Sequence, residues 1–179
     1  MVQPCSKVSV CVCEGIAFIR ITGRATNLLS LDFKSVVERL DRRELSSFVL
    51  ELRDCLFMDS TFLGVLAHFA LRRHHAEPPL SPPSMFGASV KVQELLDNLG
   101  VLPLFRVISV EGVVAKDYED VDPVAGALSK EALTVNCLEA HRTLMALSPE
   151  NMERFQDVAH FLADDLERQR SESGASNEA

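Results

Sequence analysis

The chain has 179 residues, 47% of them hydrophobic and 25% charged, with five cysteines and a net charge of −8 at neutral pH. That length supports a buried core without disulfide staples, and the composition is that of an ordinary globular protein. The acidic balance excludes nucleic-acid binding by bulk charge, which needs a basic surface to displace phosphate counterions.

The charge is also unevenly placed, with 12 basic and 11 acidic residues up to Val110 but 6 and 15 beyond it. A boundary is therefore expected there. The division that follows is a sheet-bearing domain over 1–114, an acidic linker over 115–129, a helical hairpin over 130–170 and a disordered tail over 171–179. No apolar run nears the ~18 residues of a membrane-spanning helix, so no membrane insertion is expected. The start lacks the basic and apolar runs of a secretory signal. Cys5, Cys11, Cys13, Cys55 and Cys137 form no regular ladder and read as reduced thiols of a cytoplasmic protein.

In chain order, "KVSVCVC" alternates Val8, Val10 and Val12 with Ser9, Cys11 and Cys13, a strand pattern, and "IAFIRITG" follows after the hairpin turn Glu14-Gly15. Leu29, Phe33, Val36, Val37 and Leu40 then recur at helical spacing. "FVLEL" has too few polar positions for an edge and reads as a central strand covered on both faces. The loop "RDCLFM" leads to Asp59, and from Ser60 to Arg73 the spacing is helical again. "HHAEPPLSPPS" breaks regular structure, "MFGAS" is a short strand, "VKVQELLDNLG" a helix closed by Gly100, and "LFRVISVEG" another strand. This order gives an α/β fold: an opening β-hairpin, then parallel βαβ crossovers in a mixed sheet. Beyond the acidic stretch, Leu133, Cys137, Ala140, Leu144 and Leu147 form one helical seam, and Met152, Phe155, Ala159, Leu162 and Leu166 another. Ser148 and Pro149 start the second helix. This C-terminal α-helical hairpin is expected to pack on the sheet face or the helices, with homodimerisation or partner docking as the alternative use of its seam.

Asp59, Ser60 and Thr61 stand between two strongly apolar segments. Taken alone they cap a helix, worth about 1 kcal/mol. Yet two hydroxyls follow the acid, Gly64 lies one turn in, and the carboxyl ends of strands in open α/β sheets are where ligands and partners meet the fold.

"FVLELRDCLFMDSTFLGVL" resembles the signature of the STAS domain, best known from bacterial anti-sigma-factor antagonists: an apolar strand, a short loop, then Asp-Ser-[Ser/Thr]-Gly-Leu-Gly opening a helix. The resemblance runs from about Lys7 to Val110 and includes "ITG" and "VKVQELLDNLGV". It implies a STAS-like fold and a non-enzymatic protein that regulates transcription without a cofactor. By position Ser60 is the implied phosphorylation site, with Thr61 the second choice. The implied partners are an anti-sigma factor with serine kinase activity, bound when Ser60 is unphosphorylated, and a serine phosphatase that removes the mark. The implied contact surface is Thr26, Asp59, Ser60, Thr61, Phe62, Leu63 and Gly64. The sequence departs from the pattern at Phe62, which stands where the family has Gly and would offer a partner an aromatic anchor. Thr26 stands where many antagonists carry an acid. An unphosphorylated STAS scaffold within a lipid-transport or stress-signalling complex is the alternative.

Other signals are weaker. His74 and His75 beside Glu77 lie in a proline-rich stretch that enforces no ligand geometry, so no metal site is expected. His141 and His160 read as ordinary helix positions. No glycine-rich phosphate loop occurs, and Ser60 has no general base nearby in sequence, so no catalytic residue is assigned.

Overall fold

The computed structural model describes residues 5–43, 45, 47–109, 115–124 and 129–175, with side chains to Glu172 in the last helix. Strands β1 (Lys7–Cys13) and β2 (Ile16–Ala25) form the opening antiparallel hairpin, in register from Lys7 opposite Thr22 to Cys13 opposite Ile16. Its two-residue turn places both Glu14 (φ 51°) and Gly15 (φ 75°) in the left-handed region, which matches the strand twist. Helix α1 (Asn27–Asp41), strand β3 (Ser47–Glu51), strand β4 (Cys55–Met58), helix α2 (Ser60–His74), strand β5 (Ser84–Phe86), helix α3 (Val90–Asn98) and strand β6 (Arg106–Val107) follow. β2, β3, β5 and β6 run parallel to one another, and with β7 (Glu119–Asp120) the seven-stranded mixed sheet has the order β6-β5-β3-β2-β1-β7, with β4 pairing the far end of β2.

β4 corrects the expectation of a loop at "RDCLFM". After β3 the chain turns at Arg53-Asp54, and Cys55–Met58 runs parallel to Gly23–Ala25 of β2. Only its end residues Cys55 and Met58 are buried, so four residues carry no alternation that sequence could register. Of the strand expected at "LFRVISVEG", only Arg106–Val107 pairs, preceded by a 3₁₀ turn at Leu102–Leu104; residues 110–114 lie outside the described ones.

One sheet face carries the main core. Ile19, Ile21, Phe48 and Leu50 lie under Phe33 of α1 and Phe62, Leu66 and Phe69 of α2. The Phe69 ring meets Phe33 and Phe48 edge-on at 5.8 and 5.2 Å, a favoured aromatic geometry. The opposite face holds Phe18, Val49 and Phe86, covered by Tyr118 and Ala115. Here Glu51, only 3% exposed, is paired with Arg20 (3.1 Å) and Arg53 (2.9 Å) and accepts the Tyr118 hydroxyl (2.8 Å). A buried carboxylate so compensated avoids most of its desolvation cost.

The stretch expected as an acidic linker is thus a strap over part of its length. Strand β7 (Glu119–Asp120) pairs antiparallel with β1, where Lys7 and the Ser9 hydroxyl both reach Asp120 at 2.7 Å. Asp120, one of the acids that suggested a solvated linker, finds its partners on an otherwise open strand edge. Residues 125–128 lie outside the described ones.

Helices α4 (Lys130–Met145) and α5 (Pro149–Ala175) form the expected hairpin. α5 continues to Ala175, where a disordered tail was expected from 171; residues 176–179 lie outside the described ones. The last turns are fastened to α4 by Gln169 to Thr134 (3.1 Å) and Arg170 to Glu131 (2.8 Å). Among the described residues no helix is long and apolar enough to cross a membrane.

Burial pushes the Cys55 thiol, 2% exposed, up to about 11. An unfolded chain gives up that proton near pH 8.5–9, so between there and about pH 11 the folded state binds more protons than the unfolded one and stability falls as pH rises. The contribution is full below about pH 8.5 and its loss amounts to roughly 2–3 kcal/mol. Urea titrations at about pH 8 and about pH 10.5 should show this loss, and Cys55→Ala should reduce it.

Candidate functional site

The site forms where β2 and β4 end side by side. Asp59 follows β4 in extended conformation, and its N–H donates to Ala25 O at the end of β2 (2.9 Å). Its carboxylate then serves two helices. Oδ1 accepts from the Phe62 N–H of α2 (2.8 Å), and Oδ2 accepts from the Asn27 N–H of α1 (2.9 Å). A single anion thus caps both N-termini, where orphan N–H groups and the helix dipoles favour negative charge. Thr26 is half-buried at the N-cap of α1, and its own side chain makes no cap bond there.

Because Asp59 does the capping, the Ser60 hydroxyl is left for something else. Its Oγ lies 2.9 Å from Nε2 of His141 on α4. The other ring nitrogen, Nδ1, is 2.8 Å from the carbonyl oxygen of Cys137. A carbonyl can only accept, so Nδ1 carries the hydrogen, and Nε2 of the neutral ring accepts the Ser60 O–H. His141 is 4% exposed, with its ring 5.1 Å from that of Phe155.

The rest of α4 extends this contact along α1 and α2. Thr61 Oγ1 is 3.3 Å from the Cys137 sulfur, and burial pushes that thiol up, keeping it protonated at neutral pH. Asn136 donates to Asn27 Oδ1 (3.0 Å) and Ser30 Oγ (2.9 Å), and Lys34 pairs with Glu139 at 3.1 Å. At Gly64 the two helices meet backbone to backbone. A Cβ there would stand 2.3 Å from the Ala140 carbonyl oxygen, so only glycine permits this approach.

Asp59, Ser60 and Thr26 are half-buried, whereas Thr61, Phe62, Leu63 and Gly64 are buried. Phe62 is therefore no exposed anchor. It is fully covered and packs on Phe33 at 5.7 Å. The reason is helical spacing, since Phe62, Leu66 and Phe69 form one stripe facing the sheet. Leu63 joins the same core, and Gly64 lies under α4. With the hairpin seated, these three residues present nothing to a partner.

Sequence reading missed the α4 half of the site. His141 does not pair with His160, which is exposed and meets Asp164 instead. The available signal was that Asn136 and His141 flank the seam containing Cys137, Ala140 and Leu144, and polar groups at buried helix positions need partners.

A serine, a histidine and a group fixing the ring form the pattern of a nucleophile and its base. Here the hydroxyl faces a packed helix. The cavity of about 80 Å³ between α1, α2 and α4 is lined by Phe33, Val65, Phe69 and Ala140 among others, and by neither Ser60 nor His141. The arrangement fastens α2 to α4. Among the described residues no group of three His, Cys, Asp or Glu side chains is placed to hold a metal ion.

No family model matches the sequence, and no curated protein does. Among solved structures, that of the Bacillus cell fate determinant SpoIIAA in the phosphorylated form superposes with a TM-score of 0.45 and 13% identity, covering 57% of this chain and 91% of SpoIIAA.

Proposed function

We propose that this chain is a regulatory binding module of the STAS, anti-sigma-factor-antagonist type, with Ser60 the acceptor of a regulatory phosphate. A single observation carries this reading: the Ser60 hydroxyl is released from capping by Asp59, stands at a helix N-terminus, and is already used to bind a protein element. The motif that suggested the family contributes the same three residues, Asp59, Ser60 and Thr61. A phosphate there adds about −1.5 to −2 charge at neutral pH. The two adjacent helix N-termini tolerate that charge without loss of the fold, while the surface they share becomes more negative. The partner is then an anti-sigma factor with serine kinase activity, and a serine phosphatase resets the module in the cytoplasm.

Incubation with a cognate serine kinase and ATP, followed by peptide mass mapping, should place one phosphate on Ser60 and none on Ser60→Ala. A mark on Thr61 alone, or none on any residue, would count against this assignment.

The bond to His141 favours a second reading, in which Ser60 is a permanent fastener of a scaffold that is never phosphorylated. Partner capture with equal strength by Ser60→Ala and Ser60→Asp would select it.

A further inference from the structure

The docked α4 helix blocks the chemistry proposed for Ser60. Phosphoryl transfer needs the attacking oxygen in line with the donor phosphorus and a base positioned to take its proton. In the docked state the Ser60 O–H is directed at His141 Nε2, and its oxygen lies 2.9 Å from this nitrogen beneath a helix that touches α2 at Gly64. An added phosphoryl group brings three further oxygens to a point where protein atoms are already in contact.

The hairpin is also partly self-supporting. It has its own apolar cluster of Leu138, Ala159 and Leu166, supported by Val135, Leu162 and Ala163. Its contact with α1 and the start of α2 is made through the polar groups of Asn136, Cys137, Glu139 and His141, while Ala140, Leu144 and Phe155 join the main core. Polar contacts of this kind characterise interfaces that open, because water replaces their hydrogen bonds. Charge works the same way, since the 9 acidic and 5 basic residues of 130–175 make a dianion on Ser60 an unfavourable neighbour. Val124, whose N–H is held by Asp32 (2.7 Å), lies five positions before Ser129 at the α4 N-cap, so a released hairpin stays close to its seat.

We propose that α4 is a gate on Ser60: the seated hairpin shields the hydroxyl from kinases, and a phosphate on Ser60 prevents the hairpin from returning. This rests on Ser60 being the acceptor, and it adds the regulation of that acceptor by the chain's own C-terminal helices. The observed phosphorylation rate is then the intrinsic rate multiplied by the open fraction.

The full chain with phosphoserine installed at position 60 during translation tests the gate without a kinase. Hydrogen exchange over Lys130–Met145 and alkylation of Cys137 by iodoacetamide, both read by peptide mass, should be faster by about tenfold or more than in the unmodified chain. Peptides of β2 and β3 should keep their protection. Unchanged protection of α4 would overturn the gate, and so would loss of protection throughout the sheet, which would mean unfolding rather than release. A second arm compares phosphate incorporation by a serine kinase into the wild type and Gly64→Ala, where the added methyl opens the contact. Faster marking of the variant supports the gate, and equal marking overturns it while leaving Ser60 as the acceptor. Marking of neither chain removes Ser60 as an acceptor, and the phosphoserine arm alone then decides whether α4 can be displaced.

Discussion

Asp59→Ala should lower the unfolding free energy by about 2–4 kcal/mol, since it removes two charge-assisted helix caps at once. Typical domains hold only about 5–15 kcal/mol in total, so the loss should be plain in urea or guanidinium titrations. Asp59→Asn separates the two caps. Its single side-chain oxygen can still accept from Phe62 N–H, but its amide nitrogen then faces the Asn27 N–H, donor against donor. It should therefore fall between wild type and Asp59→Ala, at about 1–2 kcal/mol. A cost below about 0.5 kcal/mol for Asp59→Ala would mean that water replaces the carboxylate and that α1 and α2 are not joined through it. This structural role also bounds what substitutions at Asp59 say about partners. Binding lost by Asp59→Ala reports on the fold first, whereas binding lost at Ser60, which caps nothing, reports on its hydroxyl and on the α4 contact that hydroxyl makes.

The contrast between neighbouring residues explains which parts of the molecule were legible in the sequence. The β1–β2 hairpin, α1, β3 and the helix at Ser60 were readable because each repeats a strand or helix period over several turns or pairs. The same holds for the hairpin of α4 and α5. β4 and β7, at four and two residues, are too short to show a period, and what makes them strands is the partner edge, Gly23–Ala25 for one and Ser9–Val10 for the other. The candidate site divides in the same way. Its Asp59-Ser60-Thr61 half is contiguous and carries a motif. The Asn136, Cys137, Ala140 and His141 half lies about 80 positions later and meets Ser60 only through tertiary packing. Phe62 was misplaced for a related reason. Sequence identified a bulky residue where the family has glycine, but only the seated sheet decides which helix face is the inner one. Here the inner face is the one shared with Leu66 and Phe69.

Gly64→Ala sets two known effects against each other at one atom. In an isolated helix alanine is favoured over glycine by about 1 kcal/mol, so α2 itself gains. Against this, the new Cβ would stand 2.3, 2.6 and 2.8 Å from the carbonyl oxygen, carbonyl carbon and Cα of Ala140. These are backbone atoms of another helix, and no rotamer change can move them aside. The helices must separate by about 1 Å, which strains or breaks the bonds from Ser60 and Thr61 to α4. Overpacking of a close contact costs typically about 1–3 kcal/mol, so the docked state should lose roughly that much despite the gain in propensity. The separation should appear as faster alkylation of Cys137 and faster exchange in α4 with the sheet intact. Ala140→Gly should not rescue the variant, because the atoms encountered remain when the Ala140 side chain is removed. A Gly64→Ala chain as stable as wild type, with Cys137 equally protected, would show that α4 does not touch α2 at this point. The hydroxyl of Ser60 would then lie open without any gate.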